Sequence, residues 1–172
     1  LIAFMSDPSS APTSAATGAA APSGVVYTIS TQYVKDLSFE NPRAPLVFAQ
    51  SAGKAPQVHV SVAVSGQQLS DTLYEVVLHL KADAMHDNDV LFVAELEYAG
   101  VVLSNAVIPA EHLTPLMNVE VPRQLFPFAR GILANATRDG GFMPLLLAPV
   151  DFDALYRQKQ AETTAESTAA AG

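Results

Sequence analysis

Four histidines, His59, His79, His86 and His112, are the first candidates for proton transfer or metal ligation. A zinc-binding helix needs two of them at i and i+4, and no pair has that spacing. His59 and His79 can meet across adjacent strands, but there is no cysteine and no placed carboxylate to complete a ligand set, so they read as surface histidines. Asp83, Asp87 and Asp89 surround Asn88, yet a calcium loop needs a stricter alternation of ligands, a glycine and a distal Glu. Turn chemistry accounts for that cluster. Glu95 and Glu97 fall two apart on one strand face, which turns both outward, where desolvation does not tune a carboxyl into a general acid. Gly140-Gly141 lacks the flanking strand and helix of a phosphate cradle, and no nucleophile elbow or dinucleotide fingerprint occurs. Asn135-Ala136-Thr137 matches a glycosylation sequon but falls on a predicted helix and is discounted. The residues therefore assign no catalytic group, no metal and no cofactor, and a hydrolase reading has no convergent titratable groups to stand on.

The elements that position these residues follow from hydropathy. Val26–Glu40 alternates as one strand, with Tyr27, Ile29, Tyr33, Leu37 and Phe39 on one face and Ser30, Gln32, Asp36, Ser38 and Glu40 on the other. Asn41-Pro42-Arg43-Ala44-Pro45 breaks it. Gln57–Ser65 alternates with Val58, Val60, Val62 and Val64 inward, and residues 66–71 read as a hairpin loop. Leu73–Ala84 and Val90–Leu103 complete a run of strands with short connections, which predicts an antiparallel sheet. After Pro109 the period changes. Residues 110–119 read as short helix or irregular chain. Pro122–Thr137 is an amphipathic helix in which Leu125, Phe128, Ala129, Ile132, Leu133 and Ala136 recur at helical spacing. Pro122 suits its first turn, Pro127 strains it, and Gly140-Gly141 stops it. Asp151 predicts an N-cap for a last helix carrying Phe152, Leu155 and Tyr156, with Val150 and Leu155 as a staple. Strands followed by helices on one face of an antiparallel sheet define an α+β fold.

The chain has 172 residues, 49% hydrophobic and 15% charged, with a formal net charge of −8. That charge argues against nucleic acid and anionic membranes as partners and favours a basic protein. Sparse charge over a hydrophobic composition favours an apolar interface. The absence of cysteine removes disulfides and thiol chemistry and fits a reducing compartment. The apolar opening, Leu1 to Met5, is too short to span a bilayer and lacks the basic flank of a secretory signal. Residues 1–24 are predicted to be a disordered Ala/Pro/Ser-rich arm and 159–172 a disordered tail, bounding a single domain over 25–158.

Two distributions of polarity remain. Asp36 and Glu40 share one strand face, and Val93, Glu95 and Glu97 share another. If these coincide, one side of the sheet is acidic, either as an ordinary solvated face or as a docking surface for a basic partner. Phe48, Leu113, Leu116, Met117, Phe126, Phe142, Met143, Leu145 and Leu147 fall in loops or at element ends. They read either as core beneath loops or as an adaptable groove for extended apolar polypeptide.

Four segments resemble the SecB family of protein-export chaperones. They are Tyr33-Val34-Lys35-Asp36-Leu37-Ser38-Phe39-Glu40-Asn41-Pro42, Tyr74-Glu75-Val76-Val77-Leu78, Pro122-Arg123-Gln124-Leu125-Phe126-Pro127-Phe128-Ala129-Arg130, and Gly141-Phe142-Met143-Pro144 with 147–155. They occur in order across residues 27–156 with family-like spacing. The resemblance implies a four-stranded antiparallel sheet with a long helix and a C-terminal helix on one face. It implies a cytoplasmic holdase assembled as a homotetramer (a dimer of dimers), without catalysis. Such a holdase binds unfolded precursors and delivers them to the SecA motor without entering the membrane.

The resemblance also carries residue roles. Docking of SecA would fall on Asp36, Glu40, Val93 and Glu95, with Val93 where the family resemblance suggests a leucine. Clients would meet Phe39, Phe48, Leu113, Leu116, Met117, Phe142, Leu145 and Leu147. The tetramer interface would use Leu125, Phe126, Phe128, Ile132 and Leu133. The chain has no Trp, whereas well-known members carry one in the loop after the first strand. A small-ligand or peptide-binding α+β module without an export role is the rival reading. It would show a closed apolar pocket and a monomeric or dimeric state.

Overall fold

The computed structural model describes residues 24–50, 56–86 and 89–170. Four strands, β1 (Tyr27–Glu40), β2 (Gln57–Ser70), β3 (Leu73–His86) and β4 (Asp89–Ser104), form one antiparallel sheet in the order β1-β4-β3-β2. A short helix, α1 (Leu46–Gln50), follows β1. The second half is helical: α2 (Ala110–Pro115), a π-helical turn (Leu116–Glu120), α3 (Val121–Asp139) and α4 (Phe152–Ala170). The predicted α+β class and its sheet are those of the structure. The predicted arm falls almost wholly on residues that lie outside those described.

The alternation fixes which side of the sheet is buried. Tyr74, Val76, Leu78 and Leu80 of β3 and Leu96, Tyr98 and Val102 of β4 are buried against the helices. Helix α3 lies over β4 and β3 and presses Leu125, Ala129 and Leu133 onto them. Gly100 makes this approach possible, since a Cβ there would fall 2.8 Å from a Leu125 methyl. Edge strand β2 is less covered. Val64 is buried, but Val58 and Val60 stay exposed on the same side of the sheet.

Several boundaries differ from the sequence reading. The hairpin loop expected over 66–71 is strand, because β2 pairs with β3 as far as Ser70 and only Asp71-Thr72 turn. Helix α4 continues to Ala170, so the tail from 159, read as disordered, is helical. Residues 110–120 are continuous helix running into α3. Pro122 stands just after the π turn, where Val121 N–H already reaches back to Leu116 O; a residue without an N–H is accommodated at such a register change. Pro127 lies inside α3 with its ring exposed and does not delay the helix start.

Strand β1 departs most. Its register with β4 shifts between Ile29 and Thr31 and again between Val34 and Asp36. Each bulge reverses the faces. Tyr27 and Ile29 therefore face the helices, Tyr33 faces the opposite, outer side beside Ala99, and Leu37 and Phe39 face the helices again. The expectation that Tyr33 joins the apolar face is thus incorrect.

The end of α3 follows the predicted glycine stop. Gly141 has φ of 88°, its N–H bonds Arg138 O, and Phe142 N–H bonds Thr137 O. This is a Schellman closure. At the start of α4, Asp151 Oδ1 accepts the Ala154 N–H at 3.0 Å, the predicted N-cap.

Candidate functional site

The outer side of the sheet carries the acidic residues in three cross-strand rows. Glu40 of β1 and Asp83 of β3 both stand opposite Val93 of β4. Ser38 and Lys81 stand opposite Glu95, and Asp36 and His79 stand opposite Glu97. The sheet therefore brings Asp36, Glu40, Val93 and Glu95 onto one surface. Glu95 is not a free carboxylate: Lys81 Nζ lies 2.5 Å from its Oε1. The Lys81 pKa is raised, first by that hydrogen bond and then by the charge of Glu95, with Asp83 and Glu40 adding to it. Sequence reasoning missed Lys81 and read Asp83 as part of a turn cluster, whereas both lie on the outer face of β3; their alternation with Glu75 and His79 was the available signal.

A second constellation on this side joins three strands. Glu75 of β3 is buried and accepts hydrogen bonds from Lys35 Nζ at 2.7 Å, Gln67 Nε2 at 2.8 Å and the Tyr33 hydroxyl. Tyr33 can lie over β4 because Ala99, on the same face, has a small side chain. The hydrogen bond from Lys35, followed by that from Tyr33, holds the Glu75 carboxyl below the usual carboxylate range. The same contacts raise the pKa of Lys35 and of Tyr33. This network depends on the bulges in β1, so its partners could not be paired by alternation.

His59 and His79 do not meet. His59 stands opposite Asp83, and His79 stands opposite Ala63, four residues further along β2. His79 instead lies 2.7 Å from Ser65 Oγ through Nε2 and 3.3 Å from Glu97 through Nδ1. The carboxylate favours the proton on Nδ1, leaving Nε2 to accept the serine hydroxyl. The line has the polarity of a hydrolytic triad, but Ser65 is exposed in mid-strand, not at a turn or helix N-terminus that would present an oxyanion hole. Asp83 and Asp89 separate, Asp89 pairing with Arg43, while Asp87 and Asn88 lie outside the described residues. Among the described residues no three His, Asp or Glu side chains converge as metal ligands.

The apolar residues predicted to form one client surface divide into two groups. Phe39, Phe48 and Phe142 cluster with Phe92 at the C-terminal end of α3, with ring centroids 4.9 to 6.3 Å apart. Phe48 is 50% exposed, and Met143 and Leu146, which follow Phe142 in sequence, are 88% and 83% exposed. Leu145 and Leu147 are half-buried on the segment that returns along α3, and the Leu145 N–H donates to the buried Thr137 hydroxyl at 2.9 Å. Leu113, Leu116 and Met117 lie elsewhere, in α2 and the π turn. Leu116 and Met117 are buried in the core, Met117 against Gly66, so their assignment to a client surface is corrected.

The predicted tetramer residues divide as well. Leu125, Phe126 and Leu133 are buried within the chain's own core and cannot also serve a partner subunit. Helical spacing marks one apolar stripe, and the sheet takes most of it. Phe128 is 56% exposed, Ile132 is half-buried, and Gly131 between them faces open space.

One sheet with an acidic outer side, helices on the other and a half-exposed aromatic end define an α+β binding protein. The sequence matches the family model described as SecB, preprotein translocase subunit SecB, over residues 20–163. It is 49% identical over 138 residues to the protein-export protein SecB of Paramagnetospirillum magneticum, covering 80% of this chain and 88% of that one. It is 50% identical over 149 residues to that of Afipia carboxidovorans, covering 87% and 90%. A SecB-like chaperone of Mycobacterium tuberculosis, solved with a peptide from the HigA1 antitoxin, shares the fold with a TM-score of 0.55 at 16% identity, over 72% of this chain and 87% of that one. The chain belongs to the SecB family of protein-export chaperones and is a binding protein, not an enzyme. Among the described residues no helix is long and apolar enough to cross a membrane.

Proposed function

We propose that this chain is a cytoplasmic holdase that captures unfolded precursor polypeptides and passes them to the SecA motor. The observation that carries the capture reading is the apolar surface at the end of α3, where Phe48, Met143 and Leu146 stand exposed beside the Phe39, Phe92 and Phe142 rings. Flexible methionine and aromatic side chains accept varied apolar sequences, and weak contacts repeated along a chain give avidity. Leu146 extends the client set beyond the sequence reading, and Met143, there one of the groove candidates but not assigned to clients, joins it.

The SecA reading rests on the outer sheet face, where Glu40 and Asp83 flank the branched apolar Val93 and Asp36 lies two rows along, opposite Glu97. Such a face fits a basic segment carrying an apolar residue. Assembly into a homotetramer is supported by the outer side of α3, where Phe128 and the bare Gly131 leave a smooth surface for another helix.

Calorimetry with a slow-folding precursor tests capture: the denatured form binds and the native form does not. Equal binding of both forms removes the holdase reading. Replacing Asp36 and Glu40 together by lysine weakens SecA binding and leaves client binding intact; unchanged SecA affinity removes the docking assignment.

A further inference from the structure

Lys81 is the one basic side chain placed by the sheet register among the residues facing Val93 and Glu95. Its ammonium lies 2.5 Å from Glu95, while Glu40 and Asp83 flank the neighbouring Val93. The pair is half exposed, with 53% of the Lys81 side chain and 47% of the Glu95 side chain accessible. It is therefore within reach of a partner, and an exposed, solvent-screened pair of this kind is easily broken.

We propose that Lys81 is an internal competitor for the basic partner: its ammonium occupies the carboxylate that the partner's cation must take, and so it sets the affinity of the docking face. This rests on the reading of the outer face as the SecA docking surface. A partner Lys or Arg bonded to Glu95 must first displace Lys81, leaving that ammonium beside an incoming like charge. Asp83 joins the surface on the same argument, since it mirrors Glu40 across Val93 and draws on the same local charge. Asp36, facing Glu97 one row away, is left free of the competition. The partner chemistry is a segment with at least two cationic side chains, one for Glu95 and one for Glu40 or Asp83, around an apolar residue that meets Val93.

The test measures SecA binding to the full chain by calorimetry for Lys81→Gln, Glu95→Gln and the double variant. Arg157→Gln, on exposed helix α4 away from the sheet face, makes the same change in net charge. Lys81→Gln tightens binding about two- to fivefold, the equivalent of the exposed pair it removes. The gain shrinks when Glu95 is already Gln, and Arg157→Gln gives none. The inference is overturned if Lys81→Gln leaves affinity unchanged or weakens it while Asp36→Lys with Glu40→Lys abolishes binding; the docking face then stands and Lys81 has no such role. An equal gain in Arg157→Gln also overturns it, by showing a bulk-charge effect. If the double lysine variant binds SecA normally, the docking face and the role of Lys81 fall together.

Discussion

Gly140 lies directly beneath the ring of Phe39: a Cβ there would fall inside contact distance of the ring atoms Cε1 and Cζ. The next residue repeats the relationship, with the Cβ position of Gly141 2.9 Å from the ring of Phe48. The helix stop and the aromatic cluster are thus one structure. Glycines that end α3 also provide the floor on which the rings stack.

Replacing Gly140 by Ala therefore displaces Phe39 and destabilises the fold by about 1–3 kcal/mol, the usual cost of overpacking. Gly141→Ala adds backbone strain, since its φ of 88° suits glycine. Urea denaturation followed by far-UV circular dichroism checks the stability. Client affinity falls more in Gly141→Ala, because the Phe48 ring it moves is the exposed one.

Thr137 ties the returning segment to α3. Its hydroxyl accepts the Leu145 N–H and donates within the helix, where the Leu133 and Ala134 carbonyls lie 3.1 and 3.0 Å away. Thr137→Val keeps the shape and strands the Leu145 N–H, at a cost of about 1–3 kcal/mol. Hydrogen exchange at the Leu145 amide accelerates relative to amides in β4. Unchanged protection there would show that the segment is held by its apolar contacts alone.

Glu75 predicts the acid limb of stability. Its carboxyl is held below the ordinary range by hydrogen bonds from Lys35 and then Tyr33, so folding favours the charged form. The stabilisation is complete above the unfolded carboxyl value, about 4.3, and is lost as pH falls through the depressed folded value. Lys35 and Tyr33 are raised by the same carboxylate, so their contributions are present below their unfolded values and fade as pH rises through the folded ones. Glu75→Gln lowers neutral-pH stability by about 1–3 kcal/mol and flattens both limbs, read from denaturation midpoints across pH. A Glu75→Gln profile parallel to wild type would overturn the linkage.

The strands and their apolar faces were legible because burial on one side imposes period two on the sequence. The acidic face was legible as far as Asp36, Glu40 and Glu95, since each strand keeps phase from its own apolar residues. What alternation cannot show is an extra residue in the ladder. The two bulges in β1 leave the ends of the strand in phase with the core but turn Tyr33 outward, which hid the Glu75 network. Nor can helical spacing divide an apolar stripe between a chain's own sheet and another subunit. Leu125 and Phe128 look alike in the periodicity, and only the placement of α3 over Gly100 separates them.

That separation yields the last prediction. Leu125 is fully buried on the sheet, so Leu125→Ala costs about 2–5 kcal/mol of subunit stability and leaves the mass of folded assemblies unchanged. Phe128 is exposed in the subunit, so Phe128→Lys keeps the far-UV spectrum but places charge on the surface proposed to meet another helix. If the wild type assembles as the proposed tetramer, light scattering at micromolar concentration shows Phe128→Lys at half its mass. A Phe128→Lys protein with the same mass as the wild-type assembly would place the interface elsewhere than the outer side of α3. Dissociation of Leu125→Ala without loss of stability would show that α3 shifts off its own sheet when subunits meet.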